Sequence, residues 1–313
     1  MKESVCSFVI ITYNQKNTIR ASLLSVLEQD YKNFRLIITD DGSTDGTKEE
    51  ISNTLNEFSD ILKDVVFLDN VNNAGIVSNF NKTIPYIIGD FFITQAGDDI
   101  AMPDRVSFSK LFFEDNQNCL AFFSSTIDIS NENVILGTNY GEVINERNKR
   151  LGGVNITNTL FDEAGILGAS ASYRVSLIKE AAIPNVAFSE DKSLTLRAAL
   201  RGEVRFVNKC LVKYRRESGV TIVGKATRKV YSKLMYRRSR FYKSLKFDHY
   251  YQYTKHASRQ QNKIRKLRVS CILSNRLLKG KESFVGYLFK SLLSGLFNKV
   301  ILRGVHYFIR GVK

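Results

Sequence analysis

Cysteine and histidine are scarce in this sequence, and their positions exclude several kinds of chemistry. The four cysteines are far apart and form no C-x-x-C pair: Cys6, Cys119, Cys210 and Cys271. They indicate neither a disulfide framework nor a zinc site, and fit a reduced, cytoplasmic protein. The three histidines all lie in the last third of the chain: His249, His256 and His306. A Ser-His-Asp triad or another histidine base is thus excluded in the first 224 residues.

The sequence also lacks long apolar runs and the usual glycine-rich phosphate loops. No stretch of about 18 uncharged apolar residues occurs, so we expect no membrane-spanning helix. The polar opening Met1–Cys6 runs straight into a strand pattern and does not resemble a signal peptide. Neither G-x-G-x-x-G after the first strand nor G-x-x-x-x-G-K-S/T is present, which argues against a dinucleotide-binding loop and a P-loop nucleotidase.

Basic and acidic residues are unevenly distributed. The chain carries 46 Lys and Arg against 31 Asp and Glu, a formal net charge of +15. From Lys225 to Lys313 there are 23 basic residues against 2 acidic ones, whereas the first 224 residues are mildly acidic. A length of 313 residues allows one large domain with an appendage. We therefore expect a catalytic domain over 1–224 and a basic extension over 225–313.

Apolar runs typical of buried strands alternate with helical patterns over the first part of the chain. Strands are predicted at residues 7–11, 34–39, 65–68 and 91–94, and helices at about 18–27, 44–58, 76–88 and after Pro103. This order predicts an α/β fold with a mostly parallel sheet covered by helices. Farther along, the sequence predicts strands at 119–129, 169–173, 204–207 and 210–215, helices from about 175 and from 190, and a loop or short hairpin over 131–158.

Short polar clusters stand where several of these elements begin or end. Asp40 and Asp41 follow the second strand, Gly42 permits a sharp turn, and Ser43 or Thr44 can cap the next helix. In an open α/β sheet, ligands bind outside the carboxyl ends of the strands. The two acids are therefore placed to accept a hydrogen bond from a ligand. An acidic Asp-Gly turn without a ligand is the alternative.

Four such clusters occur in order along the chain: Tyr13-Asn14, Asp40-Asp41, Asp98-Asp99 and Glu190-Asp191. Together with Asn73-Ala74-Gly75 and Pro103-Asp104, they resemble the motifs of family 2 glycosyltransferases, which have the nucleotide-sugar-binding GT-A fold. The resemblance covers about residues 4–224. It implies an inverting, single-displacement reaction, in which an acceptor hydroxyl attacks the anomeric carbon opposite the leaving nucleotide diphosphate.

Three residues are candidates for holding the nucleotide. The ring of Tyr13 at a strand end can stack on a nucleobase, with a core tyrosine as an equal alternative. Asp41 can accept a strong hydrogen bond from the imide N–H of uracil or thymine, and the resemblance makes it the base-reading residue. The resemblance also places Asn81 near the nucleotide; a position on the helix surface is the alternative.

Asp98 and Asp99 are candidates for holding a divalent cation. Carboxylate oxygens bind Mg²⁺ or Mn²⁺, and such a cation neutralises the charge of a leaving diphosphate. One acid can reach the metal while the other contacts the ribose or a phosphate-bound water, so Asp98 is also counted among the nucleotide contacts. Many family members carry a further acid where this chain has Ala96, which leaves open which aspartate is the ligand. The alternative is helix capping ahead of Pro103.

Asp191 is the candidate general base. A sugar hydroxyl has a very high pKa, so a carboxylate must take its proton as the new bond forms. At the start of a helix the dipole favours the ionised carboxylate, and no histidine competes for the role in this part of the chain. Glu190 would orient Asp191 or contact the acceptor. An ordinary acidic first helical turn is the alternative for both.

The basic extension has the pattern of an interfacial helix. Residues 225–268 are rich in Lys, Arg and Tyr and favour helix, and residues 283–313 place apolar side chains on one helix face among basic ones. Such a segment is typical of a helix on an anionic membrane surface, where each basic group adds roughly 1 kcal/mol. Packing on the catalytic domain is the alternative. Nucleic-acid binding ranks lower, because no nucleic-acid motif occurs.

The resemblance to family 2 glycosyltransferases and the basic extension together imply a glycosyltransferase on the cytoplasmic face of the cell membrane. The donor would be a nucleotide sugar, with UDP and a hexose or N-acetylhexosamine favoured. The acceptor would be a lipid-diphosphate-linked saccharide of bacterial O-antigen, capsule or exopolysaccharide assembly. One alternative is a catalytically inactive GT-A-like scaffold at the membrane, which the missing acid at Ala96 leaves open. A weaker one is a nucleotidyltransferase, although no basic phosphate-binding loop stands near the N-terminus.

Overall fold

The structure, a computed structural model, describes residues 6–60, 64–162, 164–216, 228–281 and 283–293, together with Ile301 and Val305. The chain forms two compact units. The sheet unit comprises Met1–Ile183 and Ser189–Gly219, and the helical unit comprises Pro184–Phe188 and Val220–Lys313. The predicted boundary between residues 224 and 225 lies outside the described residues.

The sheet unit alternates strands and helices, in the order that the sequence predicts for its first part. Its strands are β1 (Cys6–Thr12), β2 (Arg35–Asp40), β3 (Val65–Asp69), β4 (Phe91–Ala96), β5 (Ile100–Ala101), β6 (Cys119–Ile129), β7 (Ala171–Arg174) and β8 (Glu203–Arg215). Its helices are α1 (Lys16–Leu27), α2 (Thr47–Glu57), α3 (Ile76–Thr83), α4 (Arg105–Asp115), α5 (Tyr140–Arg150) and α6 (Glu190–Arg201).

The described strands belong to one sheet, with the order β3-β2-β1-β4-β7-β6-β8-β5. β1 pairs in parallel with β2 and β4, and β2 pairs in parallel with β3. β7 runs antiparallel to both of its neighbours, β4 and β6, whereas β6 and β8 are parallel. The predicted α/β class is confirmed. The sheet is parallel from β3 to β4 and mixed beyond.

The core lies between the sheet and the helices that cover it. The side chains of Phe8, Val9 and Ile10 in β1 are fully buried, and a continuous apolar strand of this kind needs helices on both faces of the sheet. α1 packs Leu23 and Val26 into the same core. Burial of each such side chain stabilises the fold by about 1.5–3 kcal/mol. Because the core fixes the strands, it also fixes the loops at the strand ends.

The prediction of a loop or short hairpin over residues 131–158 is wrong in its second half. Ile135 forms an isolated bridge to Ile129, but an 11-residue helix, α5, follows. The Asn139 side chain accepts a hydrogen bond from the Glu142 backbone N–H and caps the helix start. Basic residues in its last turn complement the helix dipole. These local signals outweigh the polar composition that suggests a loop.

The helix predicted from about Val175 is also wrong. Val175–Leu177 form one 3-10 turn, and the chain is irregular from there to Ser189. Pro184 disfavours helix at Ile183, because the residue before a proline is pushed out of the helical region.

Two other boundaries differ from the prediction. The helix predicted over 76–88 ends at Thr83, and Pro85 lies in the short 3-10 turn Ile84–Tyr86 that follows. The two strands predicted within residues 204–215 are one strand, β8, whose register against β6 shifts along its length.

The helical unit consists of α7 (Arg228–Ser244), α8 (His249–Gln252), α9 (Lys255–Leu278) and α10 (Phe284–Leu293). α7 packs along α9. Several of the tyrosines that mark this part of the sequence are buried: Tyr231, Tyr242, Tyr250, Tyr251 and Tyr287. Within the unit, Tyr287 packs with Leu273, Leu277 and Ile301 in a buried apolar cluster.

The predicted interfacial segment is only partly covered by the structure. α10 accounts for residues 284–293, and residues 294–313 lie outside the described residues apart from Ile301 and Val305. Within the part of the chain that the structure describes, no helix has both the length and the apolarity needed to cross a membrane.

Candidate active site

Asp40 and Asp41 shape the turn after β2. Asp40 accepts hydrogen bonds from both the backbone N–H and the hydroxyl of Ser43. The two carboxylate oxygens of Asp41 accept the backbone N–H groups of Ala74 and Gly75, each at 2.9 Å. Asp41 therefore fixes the loop that leads into α3. The contact of Asp41 with a nucleobase stays a prediction. Each carboxylate oxygen has a second lone pair that could accept a hydrogen bond from the base.

Gly42 is required at this turn for two reasons. Its φ of +75° lies in the left-handed region, and a Cβ at this position would stand 2.6 Å from the carbonyl carbon of Asn72. The turn therefore brings two loops into backbone contact, which a side chain would prevent.

Tyr13 follows β1 and is 45% exposed, which does not fit the core-tyrosine alternative. The next residue joins the first two loops: the Asn14 N–H donates to Ser43 Oγ at 2.7 Å, and Asn14 Oδ1 accepts from the Thr44 N–H at 2.9 Å. The ring of Tyr13 thus stands on a braced loop beside the Asp40–Asp41 turn, where a planar ligand could stack on it.

The side chain of Asn81 is hydrogen-bonded to the backbone of Ile183. Its side-chain amide donates to the carbonyl of Ile183 at 2.7 Å and accepts the Ile183 N–H at 3.0 Å. The residue therefore ties α3 to the chain segment ahead of α6. Its contact with the nucleotide stays a prediction.

Asp98 and Asp99 follow β4 and are almost fully buried. Asp99 Oδ1 accepts the backbone N–H of Arg215 at 2.9 Å, while its Oδ2 has no hydrogen-bond partner among the described residues. Burial, and then the charge of Asp98, raise the pKa of Asp99 well above its ordinary value. The helix-capping alternative is not supported, since Asp104 stands at the start of α4.

Arg215, at the end of β8, braces this turn and is missing from the predicted site. Its Nε donates to the carbonyl of Asp98 at 2.9 Å, and its other guanidinium nitrogens donate to Ser130, Asn131 and Asn133. The only sequence signal for this role is its place at the end of the last strand.

The acid pair fits a divalent cation. Mg²⁺ is commonly bound through one or two carboxylates together with substrate phosphates. The described residues contain no group of three or more His, Cys, Asp or Glu side chains that could hold a metal without a substrate. A buried carboxylate oxygen without a partner, as in Asp99, is what a cation would satisfy. Asp98 and Asp99 are therefore the residues that would hold the metal together with a diphosphate.

Asp191 lies in the first turn of α6, as the sequence predicts. Its Oδ1 accepts the Lys192 N–H at 2.6 Å, and a Cβ built at Gly168 would lie 3.2 Å from its Oδ2. The carbonyl of Gly168 accepts a hydrogen bond from Thr94 in β4 at 3.0 Å. β4 runs directly into Asp98, so the base candidate stands next to the strand that carries the metal candidates.

Glu190 is buried beside Asp191, and its Oε2 finds no partner among the residues that the structure describes. Burial, and then the charge of Asp191, raise its pKa to about 8. The hydroxyl of Tyr173, fully buried in β7, is likewise without a described partner, and burial raises its pKa with contributions from Asp191 and Glu190. Tyr173 therefore joins this cluster, although its sequence context predicts only a strand residue.

The predicted residues other than Asn81 lie along one edge of the sheet. Tyr13, Asp41 and Asp98 follow the carboxyl ends of β1, β2 and β4, which are adjacent and parallel. Neighbouring strands lie about 4.8 Å apart. β7 is antiparallel to β4, so the residues ahead of it, including Gly168 beside Asp191, reach the same edge.

Comparison with known proteins identifies the family. Residues 7–180 match the family described as "Glycosyl transferase family 2". The chain belongs to glycosyl transferase family 2. The family is one of sugar-transferring enzymes, which agrees with a strand-edge site of acidic side chains.

Curated relatives match parts of the chain. The putative glycosyltransferase EpsE of Bacillus subtilis (strain 168) is 32% identical over 36% of this chain and 39% of its own length. The Escherichia coli protein named UDP-Glc:alpha-D-GlcNAc-diphosphoundecaprenol beta-1,3-glucosyltransferase WfgD is 30% identical over 44% of this chain and 51% of its own length. The chain thus spans about two fifths to one half of these relatives.

Solved structures share the fold over nearly the whole chain. S. aureus TarS 1-349 in complex with UDP has a TM-score of 0.58 and 13% identity, covering 98% of this chain and 90% of that one. Mannosyltransferase PcManGT from Pyrobaculum calidifontis in complex with GDP-Man and Mn²⁺ has a TM-score of 0.55 and 12% identity, covering 98% and 84%. The predicted GT-A fold is confirmed.

Proposed function

We propose that this protein is an inverting glycosyltransferase that moves a hexose or N-acetylhexosamine from a UDP-sugar to a lipid-diphosphate-linked saccharide in bacterial surface polysaccharide assembly. The observation that carries the proposal is the meeting of Asp98, Asp99 and Asp191 at one edge of the sheet, joined through Thr94 and Gly168. In this proposal a nucleotide subsite and a proton acceptor would be next to each other, which single displacement requires.

The nucleotide would bind across the loops that follow β1 and β2. Tyr13 is exposed and can stack on the base, and Asp41 is buried with its carboxylate anchored by two backbone N–H groups. UDP is favoured because the names of WfgD and of the related Escherichia coli protein WfaP specify UDP-Glc, and solved relatives are complexes with UDP or UDP-GlcNAc.

The chemistry would be divided between the two acidic groups. A cation held by Asp98 and Asp99 would supply positive charge against the leaving diphosphate. Asp191 would take the proton from the acceptor hydroxyl as that oxygen attacks the anomeric carbon, and the diphosphate would leave from the opposite side. An α-linked donor would then give a β-glycoside. Burial raises the pKa of Glu190 to about 8, so Glu190 holds its proton and the role of base is assigned to Asp191.

The acceptor and the cellular location belong to the same proposal. Acceptors in the names of WfgD and WfaP are GlcNAc linked to diphosphoundecaprenol, a lipid. The helical unit would hold the enzyme on the anionic cytoplasmic face of the membrane through a patch on α9. This α9 patch consists of the exposed residues Arg265, Lys266, Val269 and Ile272, which lie on one helix face.

A donor screen tests the proposal. Radiolabelled UDP-sugars are incubated with a lipid-diphosphate-linked GlcNAc acceptor, with and without Mn²⁺, and labelled lipid product is separated by chromatography. We expect transfer from one UDP-sugar that requires the cation and that disappears in Asp98→Asn with Asp99→Asn. Absence of transfer from every donor, with calorimetry also showing no UDP binding, would favour the inactive scaffold.

A further inference from the structure

The pre-base segment, residues 181–189, leads directly into Glu190 and Asp191 without being a helix or a strand. A backbone of this kind has no ladder of its own, so its carbonyls need other partners. Side chains from three helices supply them. These hydrogen bonds suggest that a residue outside the candidate site helps to hold the general base Asp191 in place.

The first half of the pre-base segment is bonded within the sheet unit. Arg197, fully buried on α6, donates to the carbonyls of Ala181 and Ala182, each at 2.9 Å. Asn81 on α3 makes the paired hydrogen bonds with the backbone of Ile183. These contacts fix the segment up to Pro184.

In the second half, three successive carbonyls accept hydrogen bonds from the guanidinium of Arg240 in the helical unit. Arg240 on α7 donates from Nε to the carbonyl of Val186 at 3.0 Å, and from Nη2 to those of Asn185 at 3.2 Å and Ala187 at 3.4 Å. An arginine has five N–H donors in a rigid, planar fork, so it can serve three successive carbonyls. A lysine ammonium has no such fixed geometry.

We propose that Arg240 is a positioning residue for the general base Asp191. This inference rests on the proposed function, in which Asp191 takes the acceptor's proton. Ala187 precedes Asp191 by four residues, at most about 14 Å of extended chain. The pre-base segment continues directly into the first turn of α6, so a shift of its backbone would move the Asp191 carboxylate from its place beside Gly168. A misplacement of about 1 Å can lower a rate 10²-fold.

Kinetics of Arg240→Met give the first test. Methionine keeps an unbranched apolar stem and loses the three hydrogen bonds. Lys243→Met is the matched control, because it removes a positive charge from an exposed position one turn farther along α7. In detergent with a lipid-linked acceptor, we expect Arg240→Met to lower the transfer kcat at least tenfold, with donor KM and UDP affinity within twofold. Arg240→Lys should recover only part of the loss, and Lys243→Met should match the unmodified enzyme.

A double-mutant cycle with Asp191→Asn separates positioning from general destabilisation. If Arg240 acts through Asp191, adding Arg240→Met to Asp191→Asn lowers the residual rate by less than twofold. A full tenfold further loss, or a rise in donor KM that accounts for the effect of the single variant, would overturn the proposal.

Hydrogen exchange provides a readout that does not depend on activity. Amides in the peptide covering residues 188–196 should exchange faster in Arg240→Met than in Lys243→Met, while those of α9 remain unchanged and report a folded helical unit. Equal exchange in the two variants would overturn the proposal. If the unmodified protein transfers no sugar, the proposed function fails separately, and the exchange result still decides whether Arg240 anchors the start of α6.

Discussion

Glu190 and Asp191 are neighbours in the sequence but lie in different environments. Glu190 is buried without a described partner for Oε2, and its pKa is raised to about 8. Asp191 is less buried and accepts a backbone N–H of its own helix turn. Glu190 therefore keeps its proton to a higher pH than an ordinary glutamate does, and the proposed role of base is left to Asp191.

Replacement of Asp191 tests the base assignment. Asp191→Asn keeps the size of the side chain and removes its basicity, so we expect kcat to fall by about 10²–10⁴-fold. UDP affinity should change little, because the proposed role of Asp191 is to accept the acceptor's proton and not to bind the nucleotide. Initial-rate kinetics and calorimetry measure the two quantities. Asp60→Asn, at an exposed position, is the control, and undiminished activity in Asp191→Asn would contradict the assignment.

Glu190 should make the stability of the protein depend on pH. Below pH 4.5, its ordinary pKa, the carboxyl is protonated in both the native and the unfolded state. Between pH 4.5 and about 8 the unfolded state loses the proton and the native state keeps it, so the free energy of unfolding falls as pH rises. Above about pH 8 the carboxyl is ionised in both states, and the free energy of unfolding falls no further through this group.

Urea unfolding at pH 5, 6.5 and 8 measures this effect. Glu190→Gln does not titrate, so its stability relative to the unmodified protein should rise with pH, by on the order of several kcal/mol at about 1.4 kcal/mol per pKa unit. Glu28→Gln, at an exposed position, should leave the pH dependence unchanged. Parallel pH profiles for Glu190→Gln and the unmodified protein would show that Glu190 ionises normally in the native state.

At the residue level, the sequence identifies acids but not what holds them. Asp98 and Asp191 are recognisable because short motifs place them at strand and helix ends. Tyr173, Arg215 and Arg240 are not, because each meets its partners through chain segments that are distant in sequence. Their roles follow from the order of the strands and the packing of the helices, which no local pattern encodes.

Among the elements, α5 shows how local signals compete. Asn139 caps the helix through the Glu142 N–H, and the same Asn139 oxygen accepts the backbone N–H of Thr126 in β6 at 2.8 Å. One side chain therefore starts the helix and holds it against the sheet. A polar segment of this kind is read as a loop when the cap is overlooked.

Asn139→Ala tests the importance of this cap. Alanine leaves the helix start uncapped and the Thr126 N–H without its partner, so we expect the free energy of unfolding to fall by about 1–2 kcal/mol. Urea unfolding followed by circular dichroism measures the change. Asn139→Asp should retain most of the stability, since a carboxylate oxygen can accept the same bonds. A loss below about 0.3 kcal/mol in the alanine variant would rule out the capping role.

The regular elements were predictable to different degrees. β1 to β4 are apolar on both faces and alternate with helices, so their pattern is unambiguous. The segment after Val175 has apolar residues at helical spacing, yet it stays irregular because Arg197, Asn81 and Arg240 bond its carbonyls. Here tertiary hydrogen bonds replace the helical ones that the pattern suggests.

For the whole molecule, charge separates the two units. The part from Lys225 onward holds 23 of the 46 basic residues and 2 of the 31 acidic ones. Two apolar side chains of the α9 patch, Val269 and Ile272, are 38% and 37% exposed among basic neighbours. This combination favours an anionic, partly apolar surface as the partner.

Charge reversal in the α9 patch tests membrane association. Arg265→Glu with Lys266→Glu should weaken binding to vesicles containing phosphatidylglycerol at least tenfold, since each basic group near such a surface contributes about 1 kcal/mol. Vesicle sedimentation at low and high salt gives the partition coefficient. Lys149→Glu with Arg150→Glu removes the same charge from exposed positions on α5 and should bind as the unmodified protein does. Equal binding by both double variants would reject the α9 patch as the contact surface.

The carboxylate of Asp41 has a consequence for how its variants are interpreted. In Asp41→Asn, the new NH₂ group would face a backbone N–H of Ala74 or Gly75, two donors with no acceptor between them. Such a variant would lose the hydrogen bonds that hold the loop ahead of α3, and with them any contact of Asp41 with a nucleobase. Activity measurements alone would not distinguish lost stability from lost nucleotide binding. Thermal unfolding and nucleotide affinity should therefore be measured on the same preparation of each variant.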